Sequence, residues 1–385
     1  MRPLQGIRVL DLSRLIPGPF ATLLLSDLGA TVDKVEDPGA GDYLRHLPPQ
    51  IAGASGAFQA LNRGKRSLVL DLKSPDGRAT LLALLPRYDI LLEQFRPGVM
   101  DRLGLSHGAL REQFPALILC ALSGYGQTGP LSQRAGHDLN YLARSGVLGF
   151  QGPTDGPPQV PGFQVADVGG ALYAALAILA ALRVRDSTGQ GALLDIALAD
   201  APLGFSPAAF GAVFAGEVPV RGGEALSGGL AIYGTYGTKD GGYVTFGALE
   251  PKFFQVFAAA TGVPFEMSAF IVGPHQTPLR ETLAAVFASR TRAEWTTFAE
   301  THDCCVEPVL RPEELRGDAH LAARGAFFEM DLDGERVGQL RTPVTPRDVV
   351  FSPAPRSGEH TDAILSEAGF DKDKIAALRA AGVVK

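Results

Sequence analysis

Ile7-Arg8-Val9-Leu10-Asp11-Leu12, Pro17-Gly18-Pro19, Phe20 to Leu28, Gly29 and Thr31 to Glu36 follow one another near the start of the chain, and their reading decides the fold. The first run reads as a strand. The Pro-Gly-Pro segment breaks it, and Phe20 to Leu28 has helical spacing. Gly29 is placed as a C-cap, and Thr31 to Glu36 reads as a second strand. This is a βαβ unit.

The rhythm repeats outward from there. Leu68 to Leu72 reads as a strand, Ser74 to Leu85 as a helix with Ser74 as N-cap, and Asp89 to Gln94 as a strand. Ala116 to Leu122 and Leu193 to Ala197 are further strands; His137 to Leu148 and Gly169 to Val184 are helices. Alternation of this kind predicts an α/β domain over residues 1–215, with a mostly parallel, Rossmann-like sheet covered by helices on both faces. Past the glycines at 222, 223, 228 and 229 the pattern changes. A hairpin over Tyr233 to Phe246 and helices near Phe253–Thr261, Leu279–Ser289 and Arg292–Thr301 predict a smaller α+β domain over 225–325. A last helix is expected near Lys372–Ala381.

Composition excludes several classes. The 385 residues carry a net charge of −6 without basic blocks, which argues against a nucleic-acid partner. Three cysteines, Cys120, Cys304 and Cys305, exclude a disulfide scaffold, and seven scattered histidines give no metal-ligand spacing, so no metal is expected. The most apolar stretch, Ala171 to Leu182, is shorter than the roughly 20 residues of a membrane span, and no signal-peptide pattern opens the chain. A cytoplasmic protein with no membrane partner is expected. Gly124-Tyr125-Gly126-Gln127-Thr128-Gly129 matches GxGxxG, but Pro130 follows where a helix should open.

Certain polar residues stand where a purely structural reading is weak. His137 heads an apolar helix, where the positive end-field favours its neutral, base-competent form; it could equally be a surface histidine. Asp167 stands before Gly169-Gly170, a pair that weakens a helix start unless something packs closely there; by itself it also reads as an N-cap. Glu250 lies at a strand-to-helix junction before Pro251, where a solvated acid is the plain alternative. Arg63, Lys65 and Arg66, with Lys73, Arg96 and Arg102, read either as solvated loop charges or as an electropositive rim for phosphates.

These stretches resemble the family III CoA-transferases: Leu12-Ser13-Arg14-Leu15-Ile16-Pro17-Gly18-Pro19, Asn62-Arg63-Gly64-Lys65-Arg66-Ser67, Asp71-Leu72-Lys73, Phe95-Arg96-Pro97-Gly98-Val99, Gly136-His137-Asp138-Leu139-Asn140-Tyr141 and Gly247-Ala248-Leu249-Glu250-Pro251-Lys252-Phe253. Within that family they most resemble the α-methylacyl-CoA racemase branch. The resemblance implies a two-domain α/β subunit whose large domain is built from both chain ends, completed by about 326–385, and an interlocked homodimer. It implies catalytic roles for His137, Asp167 and Glu250. It implies CoA contacts at Leu70, Asp71, Leu72, Lys73, Glu93, Arg96, Arg102, Gly136 and Tyr141, and no cofactor beyond the CoA moiety of the acyl-CoA substrate. One departure stands out. Asp37 precedes Pro38 where racemases often carry an arginine for the adenine end, which shifts that contact toward Arg63, Lys65 or Arg66.

Inverting an α-carbon next to a thioester needs proton removal from one face and delivery to the other. His137 and Asp167 suit this as a two-base pair acting through an enolate, with Glu250 orienting or polarising His137. The rival reading is a CoA-transferase that uses Asp167 as nucleophile and has no need of His137. A non-catalytic acyl-CoA-binding protein is a third.

Overall fold

The computed structural model describes residues 2–51 and 54–385. Six strands form its main sheet: β1 (Arg8–Asp11), β2 (Thr31–Glu36), β3 (Arg66–Val69), β4 (Ile90–Glu93), β5 (Ile118–Ser123) and β6 (Leu193–Ala197). Their order is β3-β2-β1-β4-β5-β6, and every neighbouring pair is parallel. The winding reverses between β1 and β4. Loops leaving those two strands diverge, and the carboxyl edge of the sheet opens into a crevice there.

Successive strand residues face opposite sides. Leu10, Leu68, Leu91 and Leu119 point to one side, where Leu81 and Leu84 meet Ile364, Leu365, Ile375 and Leu378 from the chain's last helices. Val9, Val32, Ile90, Ile118 and Leu122 point to the other, against Ala21 and Leu25 of α1 (Pro17–Asp27) and further helical residues. The first helix begins at Pro17, earlier than its apolar spacing suggested, because proline fits the first turn where no backbone N–H is needed. Gly29 closes it at φ +109.

Two helices that carry candidate residues differ in length from the sequence reading. The first, α2, covers only Asp138–Arg144, because Gly146 adopts φ +80 and ends the run. The second, α3, is longer, at Val165–Thr188. By length and composition α3 could cross a membrane, yet half of its most apolar stretch is packed inside the protein. Ala171, Ala174 and Ile178 cover the sheet.

The chain divides into two compact units. One contains the sheet and comprises the residues up to Ser145, Gly162–Phe205 and Ala319–Lys385. The other comprises Gly146–Pro161 and Ser206–Asp318. In this second unit β7 (Tyr233–Gly237), β8 (Tyr243–Gly247) and β9 (Val306–Pro308) form an antiparallel sheet. Phe246, Phe254, Phe257, Phe287 and Trp295 fill its core. A single cut near residue 215 therefore misses the 146–161 segment, whose contacts lie with the second unit.

Candidate active site

Two cavities lie along the carboxyl edge of the main sheet, and both belong to the first unit. The first, about 390 Å³, is lined by Arg14 after β1, Phe95 and Arg96 after β4, Ser123 and Gly124 at the end of β5, and by His137, Tyr141 and Asp167. The second, about 480 Å³, is lined by residues following β1, β2 and β3, including Asp37, Leu70, Asp71, Leu72 and Lys73. Arg14, Phe95 and Val99 border both. The two cavities thus flank the point where the winding reverses.

His137 is the N-cap of α2 and is exposed; its carbonyl accepts the N–H groups of Asn140 at 2.8 Å and Tyr141 at 3.2 Å, and its own N–H donates to Asn140 Oδ1 at 3.0 Å. Asp167 is the third residue of α3 and half-buried. Burial first, and the charge of Asp138 second, push its carboxyl up to about 7. The Asp138 carboxylate accepts the N–H of Ala166 at 2.7 Å and of Asp167 at 2.9 Å. Tyr141 lies between Gly124 and Gly136. A Cβ at either glycine would meet its ring or hydroxyl at 2.6–2.7 Å, so only glycine fits. Burial, then the charge of Asp167, push the Tyr141 hydroxyl up to about 12. The suspicion raised by Gly169-Gly170 is explained by contact: a Cβ on Gly170 would lie 2.3 Å from Leu198 Cδ2.

The loop after β1 is fixed from below. Buried Lys34 donates to the Ser13 carbonyl at 2.7 Å and pairs with Asp42 at 2.9 Å. Asp42 in turn accepts the N–H of Leu15, which sits at φ +63. This holds Arg14, exposed and over the Tyr43 ring, at the junction of the two cavities.

The expected CoA contacts separate into two groups. Arg96, Gly136 and Tyr141 line the first cavity, and Leu70 to Lys73 line the second. Glu93 lines neither. It is buried, accepts the Phe95 N–H at 2.7 Å and pairs with His107 at 3.1 Å, so it supports the Phe95-Arg96 loop from behind. Arg102 is exposed at the end of a short helix and lines neither cavity. The basic cluster needs correction. Arg63 is 1% exposed and pairs with Asp27 at 2.6 Å. Lys65 is buried against Asp11, Thr22 and Asn62. Arg66 is bound to Asp33 and Glu367. These cations are taken up in ion pairs with Asp27, Asp11, Asp33 and Glu367 instead of forming a rim. Glu250 lies in the second unit, exposed, as the N-cap of the Pro251–Thr261 helix.

Sequence reasoning missed Arg14 and Arg134, and gave Asp138 no catalytic role. The position of Asp138 directly after the candidate histidine was the available signal; nothing local distinguished Arg14 or Arg134 from surface charge.

The model of CoA-transferase family III matches residues 4–361. The chain belongs to family III of the CoA-transferases. Human alpha-methylacyl-CoA racemase is 39% identical over 390 residues, covering 99% of this chain and 97% of that protein. Mouse succinyl-CoA:glutarate CoA-transferase is 32% identical, covering 100% and 91%. Among solved structures, a CAIB/BAIF family protein from Brucella suis superposes with a TM-score of 0.81 at 31% identity, covering 95% of this chain and 99% of that one. This family III chain is therefore an enzyme related to both racemases and transferases.

Proposed function

We propose that the chain is an α-methylacyl-CoA racemase that inverts 2-methylacyl-CoA thioesters by two-base proton transfer. The observation that carries this reading is that His137 and Asp167, from two different helix starts, line one cavity. One group takes the α-proton, leaving the C–H electron pair in an enolate. The other gives a proton to the opposite face, and the roles reverse in the other direction. A carboxyl held near 7 supplies both acid and base forms at neutral pH, which suits such a role. The enolate oxygen needs N–H donors. The amides of Ala166 and Asp167 already serve Asp138, and those of His137, Asn140 and Tyr141 are bonded within the start of α2, which leaves the amides of Asp138 and Leu139 there as the donors for the enolate oxygen.

In this reading the thioester occupies the first cavity, and the nucleotide end of CoA extends past Arg14 into the second. Arg96 and Lys73 offer positive charge to the phosphates. No cofactor beyond the CoA moiety is used. We also propose the interlocked homodimer; exposed Leu172 and Leu176 on α3 are apolar surface that a second copy would cover.

The test is incubation with (R)- and (S)-2-methylacyl-CoA in deuterated water, with and without an acceptor carboxylate. Deuterium should enter the α-position of both enantiomers. His137→Ala and Asp167→Ala should each lose racemisation by about 10²–10⁴-fold while retaining exchange on a single face. Robust CoA transfer without α-deuterium, abolished by Asp167→Ala and kept by His137→Ala, would select the nucleophilic transferase instead.

A further inference from the structure

Asp138 touches both halves of the candidate machinery; the sequence reading places it within the CoA-binding stretch Gly136 to Tyr141 and gives it no catalytic role. It is the first residue of α2, adjacent to His137. Its carboxylate reaches across to the first turn of α3 and accepts two N–H groups there, from Ala166 and Asp167. Those are the second and third residues of α3, the donors that a helix's own N-cap side chain normally satisfies. The N-cap of α3 is Gln164, which makes no such bond. Asp138 therefore caps α3 from another helix.

We propose that Asp138 is a positioning residue for the proton-transfer pair: one carboxylate, anchored beside His137, fixes the backbone that carries Asp167. This rests on the racemase reading for its link to catalysis, but not for its structural content. The geometry has two consequences. The two N–H bonds set where the Asp167 side chain starts. The negative charge, held against the amide of Asp167, also disfavours a second negative charge on Asp167 itself. The other charged or titratable groups around the first cavity are Arg14, Tyr43, Arg96, Arg134, His137 and Tyr141. Burial is the larger influence that raises the Asp167 carboxyl, and the charge of Asp138 adds to it, so Asp138 helps keep Asp167 available as an acid near neutrality.

Asp138→Asn separates position from charge. An asparagine oxygen still accepts both N–H groups, but the charge is gone. The full chain would be labelled with ¹³C at aspartate carboxyls, and the Asp167 resonance assigned by its loss in Asp167→Asn. In Asp138→Asn the Asp167 titration midpoint should fall by about one pH unit. The acid limb of kcat/KM for racemisation should move down with it, while kcat at the new optimum stays within about threefold of the parent and KM is little changed. Asp138→Ala loses both bonds and should lower kcat by about 10²-fold, as misplacement of a reacting group does. A purely structural cap would be rescued by asparagine in every respect, with the midpoint unmoved; that result would overturn the proposal. So would full activity in Asp138→Ala. If Asp138→Ala fails to fold, the asparagine variant alone decides. The titration reads Asp167 without turnover, so it judges Asp138 even if Asp167→Asn still exchanges the α-proton and the racemase reading falls.

Discussion

Two groups of basic residues in the first unit have opposite fates. Arg63, Lys65 and Arg66 lie close together in sequence and are spent inside the protein on Asp27, Asp11 and Asp33. Arg14, Arg96 and Arg134 are far apart in sequence and converge on one cavity, where they are exposed. The difference teaches that a run of cations is no measure of an electropositive surface. What matters is whether buried acids lie across from it. The acids Asp11, Asp27 and Asp33 come from β1, α1 and β2, and each is at most 1% exposed. An unpaired carboxylate there would be costly, so the cations that follow are drawn inward.

The largest expected effect tests the inner group. Arg63→Met should destabilise the protein by about 3–5 kcal/mol, because it strands Asp27 with only Thr345 as a side-chain partner. Urea unfolding measures the loss. The KM for acyl-CoA should stay unchanged in whatever fraction remains folded. A raised KM with normal stability would return Arg63 to the binding site.

Arg96 is the counterpart. Arg96→Ala should leave the unfolding midpoint within error but weaken CoA-ester binding by about 1.5–3 kcal/mol, read as a rise of tenfold or more in KM with kcat little altered. An unchanged KM would make Arg96 a plain loop charge and erase the contrast.

Arg45 stands between the two groups. Its guanidinium pairs with buried Glu36 at 2.6 Å and is itself partly exposed. Burial pushes the Glu36 carboxyl up, but Arg45, Lys34 and the Asp42 N–H outweigh it and hold the carboxyl below its ordinary range. A lowered folded-state pKa contributes stability that is present in full above the unfolded value near 4.3 and is lost as pH falls through the folded value. Arg45→Met should therefore cost about 1–2 kcal/mol at pH 7. It should also flatten the decline in stability below about pH 4.5, measured by urea melts from pH 3 to 7. A parallel decline in both proteins would show that the pair contributes nothing to acid sensitivity.

The fold was largely legible because its signals are local. Pro17, Gly29 and Ser74 mark helix ends through rules of one turn's reach, and the β1-α1-β2 unit follows from them. The hairpin Phe327–Leu332 with Glu335–Leu340 escaped reading although its signals are local: Phe328, Met330 and Leu332 alternate with Glu329 and Asp331, and Asp333-Gly334 forms the turn. For the site, His137 and Asp167 were visible as polar residues at helix starts. Their sharing of a cavity depends on how α2 and α3 pack, which no spacing encodes. Glu93 and Arg63 misled for one reason: a charge that supports a loop from beneath has the same letter as one that faces a ligand.

The smallest expected effect concerns Asp37, where this chain departs from the arginine that racemases often carry. Asp37 lines the second cavity with Asp71 and Lys73, and it also accepts the Gly39 N–H at 2.8 Å in its turn. If the adenine end of CoA lies in this cavity, its 3′-phosphate meets the carboxylates of Asp37 and Asp71 beside Lys73 and Arg14, since Glu36 and Asp42, which also line it, are paired with Arg45 and Lys34. Reversing one of those charges improves the balance, but Asp37 is exposed and solvent screens the gain to about 0.2–1 kcal/mol. Asp37→Arg should then lower the KM for CoA thioesters by about two- to fivefold, and Asp37→Asn by less. The control is the dephospho-CoA thioester, which lacks the 3′-phosphate. There both variants should match the parent, because no charge remains for position 37 to meet. An equal gain with both thioesters would instead trace the effect to the adenine ring or to the turn at Gly39. No change with either would place the adenine end away from Asp37 altogether, leaving Arg96 and Lys73 to carry the phosphate contacts.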